Sequence, residues 1–343
     1  MISRIAIQNF KSIGDPGVDL ELKPLTLLVG PNGGGKSSIL EAIAVAGQQD
    51  ISGKLVSFPS WHSIVHKSGT HSGSIEIYFG PTTSGEGPGF RARFDSQGHP
   101  VFERAEGAQG EREYPFRTSL FLIPSVRGNI PFSADTKREK PGEVSTNGDD
   151  LILLLSAVFG ERKQSAIADQ IVKWATIFGL HGLKAGWRTN FQSGSDYLDS
   201  ELKVALDLAL SSSGAKQILT VITQLFWAPE GSLLMIEEPE ISLHPQAQVD
   251  VLEMFGEAIR EENKQIIATT HSHIMLQAVG YAVHKGWLDV KDIAVYHVEK
   301  KKTGTKAKLL PLRKQGYIKG WVPSFSKVER ELLQEWAKTL PRK

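Results

Sequence analysis

Apolar and polar positions alternate from the start of the chain. Residues 2–8 set Ser3, Ile5 and Ile7 against Ile2, Arg4, Ala6 and Gln8, a β-type pattern. A turn composition, Gly14-Asp15-Pro16-Gly17, separates them from Val18, Leu20 and Leu22, which alternate again and predict a hairpin. After Pro24 the pattern becomes an unbroken apolar run, Leu25-Thr26-Leu27-Leu28-Val29, the mark of a buried strand. A glycine-rich turn follows, and the period becomes helical over 37–46. Residues 74–79, 90–94 and 101–104 read as three more strands. The Gly-, Ser-, Thr- and Pro-rich stretches 80–89 and 95–100 separate them, which predicts an antiparallel meander.

Leu120-Phe121-Leu122-Ile123 predicts a short buried strand, and the polar stretch 132–150 a loop. Helical spacing governs 151–159 and 167–178, where Ile167, Ile171, Trp174, Ala175 and Phe178 form a core-type stripe. Residues 179–186 end it, and 218–226 are helical again, so about 130–228 reads as an inserted helical lobe. The run 232–236 predicts a buried strand, 245–260 a helix with Val249, Leu252, Phe255 and Ile259 inward, and 265–270 another strand. Residues 292–298 and 306–312 suggest a final hairpin. Val328, Leu332, Leu333 and Trp336 suggest a terminal helix. Strands alternate with helices, which places the chain in the α/β class.

Composition narrows the function classes. The 343 residues are 40% hydrophobic and 22% charged, as expected of a soluble globular protein. With no cysteine there is neither a disulfide framework nor a thiolate-metal site. The N-terminus lacks a signal-peptide core, and no apolar run approaches the ~20 residues of a membrane span, so a cytoplasmic protein without a membrane partner is expected. A formal charge of +1 gives no overall field for nucleic acid, which leaves only a local patch for DNA contact. No repeat and no sustained heptad array is visible.

The chemistry begins at Gly30-Pro31-Asn32-Gly33-Gly34-Gly35-Lys36-Ser37-Ser38. This is G-x-x-x-x-G-K-S between a strand and a helix, the P-loop arrangement. Its glycines let backbone N–H groups converge on phosphate oxygens, and the helix adds its positive end. Asn32, Gly33, Gly34, Gly35, Lys36, Ser37 and Ser38 are the expected nucleotide-binding residues. Lys36 is expected to reach the β- and γ-phosphates, and the Ser37 hydroxyl to meet Mg²⁺. ATP and Mg²⁺ are thus the expected cofactors. The second signal is Leu233-Leu234-Met235-Ile236-Glu237-Glu238-Pro239-Glu240, a buried strand delivering adjacent carboxylates at its C-terminal end, where α/β sheets bind ligands. Consecutive strand residues point oppositely, which predicts separate tasks: Glu237 for Mg²⁺, and Glu238 to orient and deprotonate the attacking water.

The opening phrase I-x-x-F-K-S-I, about twenty residues before the P-loop, resembles that of RecF, the structural-maintenance-of-chromosomes (SMC) ATPases and the overcoming-lysogenization-defect (OLD) family. The Glu-Glu-Pro-Glu form and the following Leu243-His244-Pro245-Gln246-Ala247-Gln248 resemble the OLD-like members. The resemblance implies a single ABC-type ATPase domain over 1–343: a P-loop lobe with a β-subdomain (1–129), a helical lobe with the signature segment (130–228), and an acidic-motif lobe with the closing hairpin (229–343). It implies a loose signature at Leu210-Ser211-Ser212-Ser213-Gly214, in which Ser213 and Gly214 clamp the γ-phosphate held by a second subunit. It also implies that His271 is the γ-phosphate switch, with His273 as the alternative in a shifted register. No glutamine stands at the end of strand 120–123, where many ABC ATPases sense Mg²⁺ and water. Arg127 in that loop is either a phosphate or partner contact or an exposed salt-bridging residue. The basic tip at Lys300-Lys301-Lys302 is either a phosphate-backbone contact or a solvated hairpin end.

The implied function is an ATPase that dimerises around nucleotide and controls a separate effector, a nuclease or toxin, in a prokaryotic defence or DNA-metabolism complex. OLD proteins continue into a metal-dependent nuclease domain. No further strand-borne acidic cluster follows here, so an ATPase module without an attached nuclease is expected. The alternatives are a DNA-repair ATPase acting directly on DNA and, against the Asn9–Ile13 opening and Glu237, an ABC transporter subunit.

Overall fold

The computed structural model describes residues 1–66, 73–79, 89–94, 100–104, 119–135, 148–189 and 192–319. The tips expected in 80–89 and 95–100, most of the loop 132–150 and the expected terminal helix lie outside the described residues. The chain divides into two compact units, one of Ile2–Gln109 with Thr270–Lys343, the other of Gly110–Thr269.

In the first unit a five-stranded antiparallel sheet runs in the order Val18–Glu21, Ile2–Gln8, Gly73–Phe79, Gly89–Phe94, Pro100–Arg104. Its register places Ile5 opposite both Leu20 and Ile77, and Ile7 opposite Ile75. All five are buried, so one face of the alternation seen in the sequence is the core face. The expected hairpin and meander are both present. The P-loop strand, Leu25–Val29, is buried at every position. It pairs in parallel with Ile293–Lys301, which pairs antiparallel with Gly304–Leu309. Tyr296 ties this layer to the first sheet: its hydroxyl donates to Glu21 O at 2.8 Å and accepts from Glu21 N at 2.9 Å. Burial pushes the Tyr296 phenol up to about 12, against the downward pull of its hydrogen bond with the Glu21 backbone, so it stays neutral at ordinary pH. Helix Lys36–Gln48 buries Ile39, Leu40 and Ile43, and helix His273–His284 buries Met275, Leu276 and Val279.

In the second unit Leu233–Glu237 lies between two parallel partners, Leu120–Ile123 and Gln265–Thr270. Helices Leu151–Gly160, Ser165–Ile177, Ser213–Trp227 and Pro245–Glu262 complete the expected alternation. The helical lobe needs correction, because it also holds a sheet. Gln192–Leu198 pairs antiparallel with His181–Thr189, Ala205–Asp207 and Ala134–Asp135. The sequence hid these strands because their inward positions are small and polar. Ser193 and Ser195 are buried, whereas Trp187 and Leu198 are exposed, so no apolar alternation marks them. Pairing with the neighbouring strands sets their conformation, and Ala134–Asp135 joins from farther along the chain.

Candidate functional site

Strand Leu25–Val29 delivers the chain into the P-loop, and helix Lys36–Gln48 begins at the lysine itself. Gly33 and Gly35 take φ of +70° and +106°, a left-handed backbone that favours glycine. Close approach adds a second reason. A Cβ on Gly35 would lie 2.1 Å from Thr305 Oγ1, and one on Gly34 would lie 2.8 Å from Val298 O. Gly35 is the N-cap and brings no side-chain oxygen to the first-turn amides, so the cradle suits phosphate oxygens. The buried Lys36 ammonium donates to Gly30 O and Pro31 O, both at 3.0 Å, and is thereby held over the loop. Asn32, Gly33 and Ser37 are exposed. This donor set fits a Mg²⁺-nucleotide.

Ser38 is placed differently. It is buried and accepts from Ser12 Oγ at 3.0 Å. Thr305 Oγ1 in turn lies 2.8 Å from Ser12 Oγ and 3.1 Å from Gly34 O. This hydroxyl chain gives the F-K-S-I opening a physical reason. Phe10 and Ile13 are buried, Lys11 pairs with Glu41 on the P-loop helix at 2.5 Å, and Ser12 reaches Ser38. The opening phrase braces the P-loop from outside. The closing hairpin packs inward as well, since a Cβ on Gly304 would meet Gly14 N at 2.6 Å. Thr305 and Val298 were missed in the sequence because they act across about 270 residues, and Val298 does so through its backbone. Gly35→Ala therefore meets both strain and collision. It is expected to weaken ATP binding at least tenfold, about 1.4 kcal/mol, with the circular dichroism spectrum retained; isothermal titration calorimetry measures it.

In the second unit Glu237 is the last residue of its strand, and its Oε2 accepts from Ser125 N at 3.2 Å. Glu238 lies beyond the strand with φ +45°. The strand therefore ends at Glu237 and the backbone turns left-handed at Glu238, so the strand alternation expected from the sequence does not extend to the second carboxylate. A non-glycine residue in that region is uncommon and is held by its surroundings. Glu238 N donates to Thr269 O and Oγ1, both at 3.1 Å. Glu238 O accepts from Arg127 Nη2 at 2.9 Å and from Ile241 N at 3.0 Å.

Arg127 corrects both readings open in the sequence. It is neither exposed nor turned outward as a contact: it is 5% exposed and donates to Pro124 O, Glu237 O, Glu238 O and Gln217 O. Burial brings its pKa down to about 10, against the pull of Glu240, Glu238 and Glu237, so it remains a cation at neutral pH.

The helix of the signature segment starts earlier than the expected run 218–226. Ser212 is the N-cap of helix Ser213–Trp227, accepting from Ala215 N at 3.2 Å. Ser213 is exposed at the first helical position. Gly214 is buried, and a Cβ there would lie 2.4 Å from Ser242 O in the loop after the acidic motif. The glycine thus allows close approach of the two segments. His271 lies in the first unit, between strand Gln265–Thr270 and helix His273–His284. Ser272 caps that helix, accepting from Ile274 N and Met275 N, and His273 is its exposed first residue.

Comparison with known proteins supports an ATPase. An AAA ATPase domain matches residues 136–276, and an AAA domain matches residues 4–154. The OLD nuclease of Thermus scotoductus is 27% identical over a match that takes in 80% of this chain and 59% of the relative. The chain thus spans less than two thirds of that relative's length. The SMC head domain from Thermotoga maritima superposes with a TM-score of 0.53 at 14% identity, covering 91% of this chain and 99% of the other. The recombination mediator RecF does so with a TM-score of 0.53 at 11% identity, covering 91% and 98%. At such identities the structures establish the fold. The chain is an ATPase with the fold of the SMC head and RecF, matched in two stretches by AAA domain models and similar in sequence to an OLD nuclease.

Proposed function

We propose that the ATPase cycle of this chain drives closure of a dimer around nucleotide and thereby controls a separate effector, a nuclease, in a prokaryotic defence or DNA-metabolism complex. The observation that carries this reading is the acidic turn. Two adjacent carboxylates stand at the end of a buried strand, the second on a left-handed residue whose backbone N–H and C=O are both tied down. That geometry suits one carboxylate for a cation and the other for water. The sequence likeness to an OLD nuclease supports the choice of effector.

In this mechanism the P-loop amides and Lys36 bind and orient the phosphates. Ser37 and Glu237 would hold Mg²⁺, which neutralises phosphate charge when bound. Glu238 orients water and takes its proton, while Ser213 and Gly214 of a second chain, together with His271, close on the terminal phosphate.

The test is to purify the tagged chain alone and with the proteins that co-purify from its native host. Alone, it is expected to hydrolyse ATP without cutting DNA; with its partner, DNA cleavage is expected to depend on nucleotide. Tight, salt-sensitive DNA binding by the isolated chain would instead support direct action on DNA.

A further inference from the structure

We infer that Arg127 is a positioning residue that couples the signature helix to Glu238. The inference rests on the role proposed for Glu238. One buried guanidinium joins three segments. Nη1 donates to Pro124 O at 2.8 Å and to Glu237 O at 2.6 Å, Nη2 to Glu238 O at 2.9 Å, and Nε to Gln217 O at 3.3 Å. Pro124 belongs to its own loop, Glu237 and Glu238 to the acidic turn, and Gln217 to the second turn of helix Ser213–Trp227. All four acceptors are main-chain carbonyls, so the cation holds backbone and not the carboxylate side chains.

Three further features belong to the same device. Ser125 N, from the Arg127 loop, donates to the Glu237 side chain. Gly128 takes φ +81°, and a Cβ there would lie 3.0 Å from Gln217 N, so the loop lies against the signature helix. Gly214, one turn earlier on that helix, approaches the backbone of Ser242. The helix is therefore fastened to the acidic turn at two levels, one steric and one through Arg127. A displacement of the helix N-terminus shifts the carbonyl of Gln217, and the planar fork carries the shift to the carbonyl of Glu238. The left-handed turn at Glu238 makes its side-chain direction sensitive to that carbonyl, because φ and ψ there are held by hydrogen bonds against local preference. Arg127 stands in the loop where the usual glutamine is missing, and its guanidinium is taken up by main-chain carbonyls.

Lysine keeps the charge but cannot supply the planar set of donors. In Arg127→Lys, kcat is expected to fall at least tenfold with KM changed less than threefold. Amide hydrogen exchange is expected to accelerate at least tenfold in 238–243 and in 213–219 together, while 233–236 keeps its protection. A kcat within twofold of wild type, or unchanged exchange in both segments, would overturn the inference. Loss of the cooperative thermal transition would overturn it too, by making Arg127 a folding residue only. Glu238→Gln is measured alongside. If that variant hydrolyses ATP normally, the role of Glu238 fails, whereas the exchange pattern still judges the coupling on its own.

Discussion

Glu238→Gln is expected to retain ATP and lose the chemical step, with turnover falling by about 10²–10⁴-fold, the usual effect of removing a general base. The structure makes this a clean substitution. The contacts that hold residue 238 to Thr269 and Arg127 use its main chain, so an isosteric amide leaves the left-handed turn in place. What changes is the capacity of the side chain to accept a proton. The variant is expected to accumulate a nucleotide-bound dimer, seen as a doubling of mass by light scattering when ATP is added. Hydrolysis at the wild-type rate would remove Glu238 as the base and turn attention to Glu237 or Glu240.

Lys36→Ala and Ser213→Arg should each abolish hydrolysis, and mixing the two dead proteins should restore part of it. Lys36 braces the loop through Gly30 O and Pro31 O, so its loss removes a phosphate contact and loosens the cradle. The fold is expected to survive, since the net value of such bonds is about 1 kcal/mol each. Ser213 is exposed at the start of its helix, so arginine there costs little stability and instead blocks the surface offered to a second chain. In a two-fold dimer with shared sites, a mixed pair places both lesions in one site and leaves the other native. Random pairing makes half of the dimers mixed, each with one of two sites intact, so roughly a quarter of wild-type activity is expected if the sites act independently. A Ser213→Arg protein that hydrolyses ATP normally as a monomer would overturn the shared site.

The sequence alone determined the parts whose physics is local. A P-loop is a run of glycines and a lysine between a buried strand and a helix, and 30–37 show all of it because neighbouring residues make the cradle. The strand at 233–237 and the acid pair at its end were legible because burial leaves an unbroken apolar run, and charge at its end stands out against it. The paired strands at 2–8 and 18–21 were legible from alternation and an intervening turn. Tertiary structure decided what depends on distant backbone. Arg127 looked like a surface or ligand residue until its four carbonyl acceptors appeared, and carbonyls leave no trace in residue identity. The hydroxyl chain of Ser38, Ser12 and Thr305 was invisible in the sequence, because its members come from both ends of the chain. The sheet at 181–207 stayed hidden because the buried positions of its central strand are Ser193, Gly194 and Ser195, whose strand conformation is imposed by pairing rather than by propensity. Strand alternation was expected to run through Glu238, but the strand ends at Glu237 and Glu238 turns left-handed. A left-handed residue cannot be read from a glutamate, because hydrogen bonds to Thr269 and Arg127 stabilise it against its own preference.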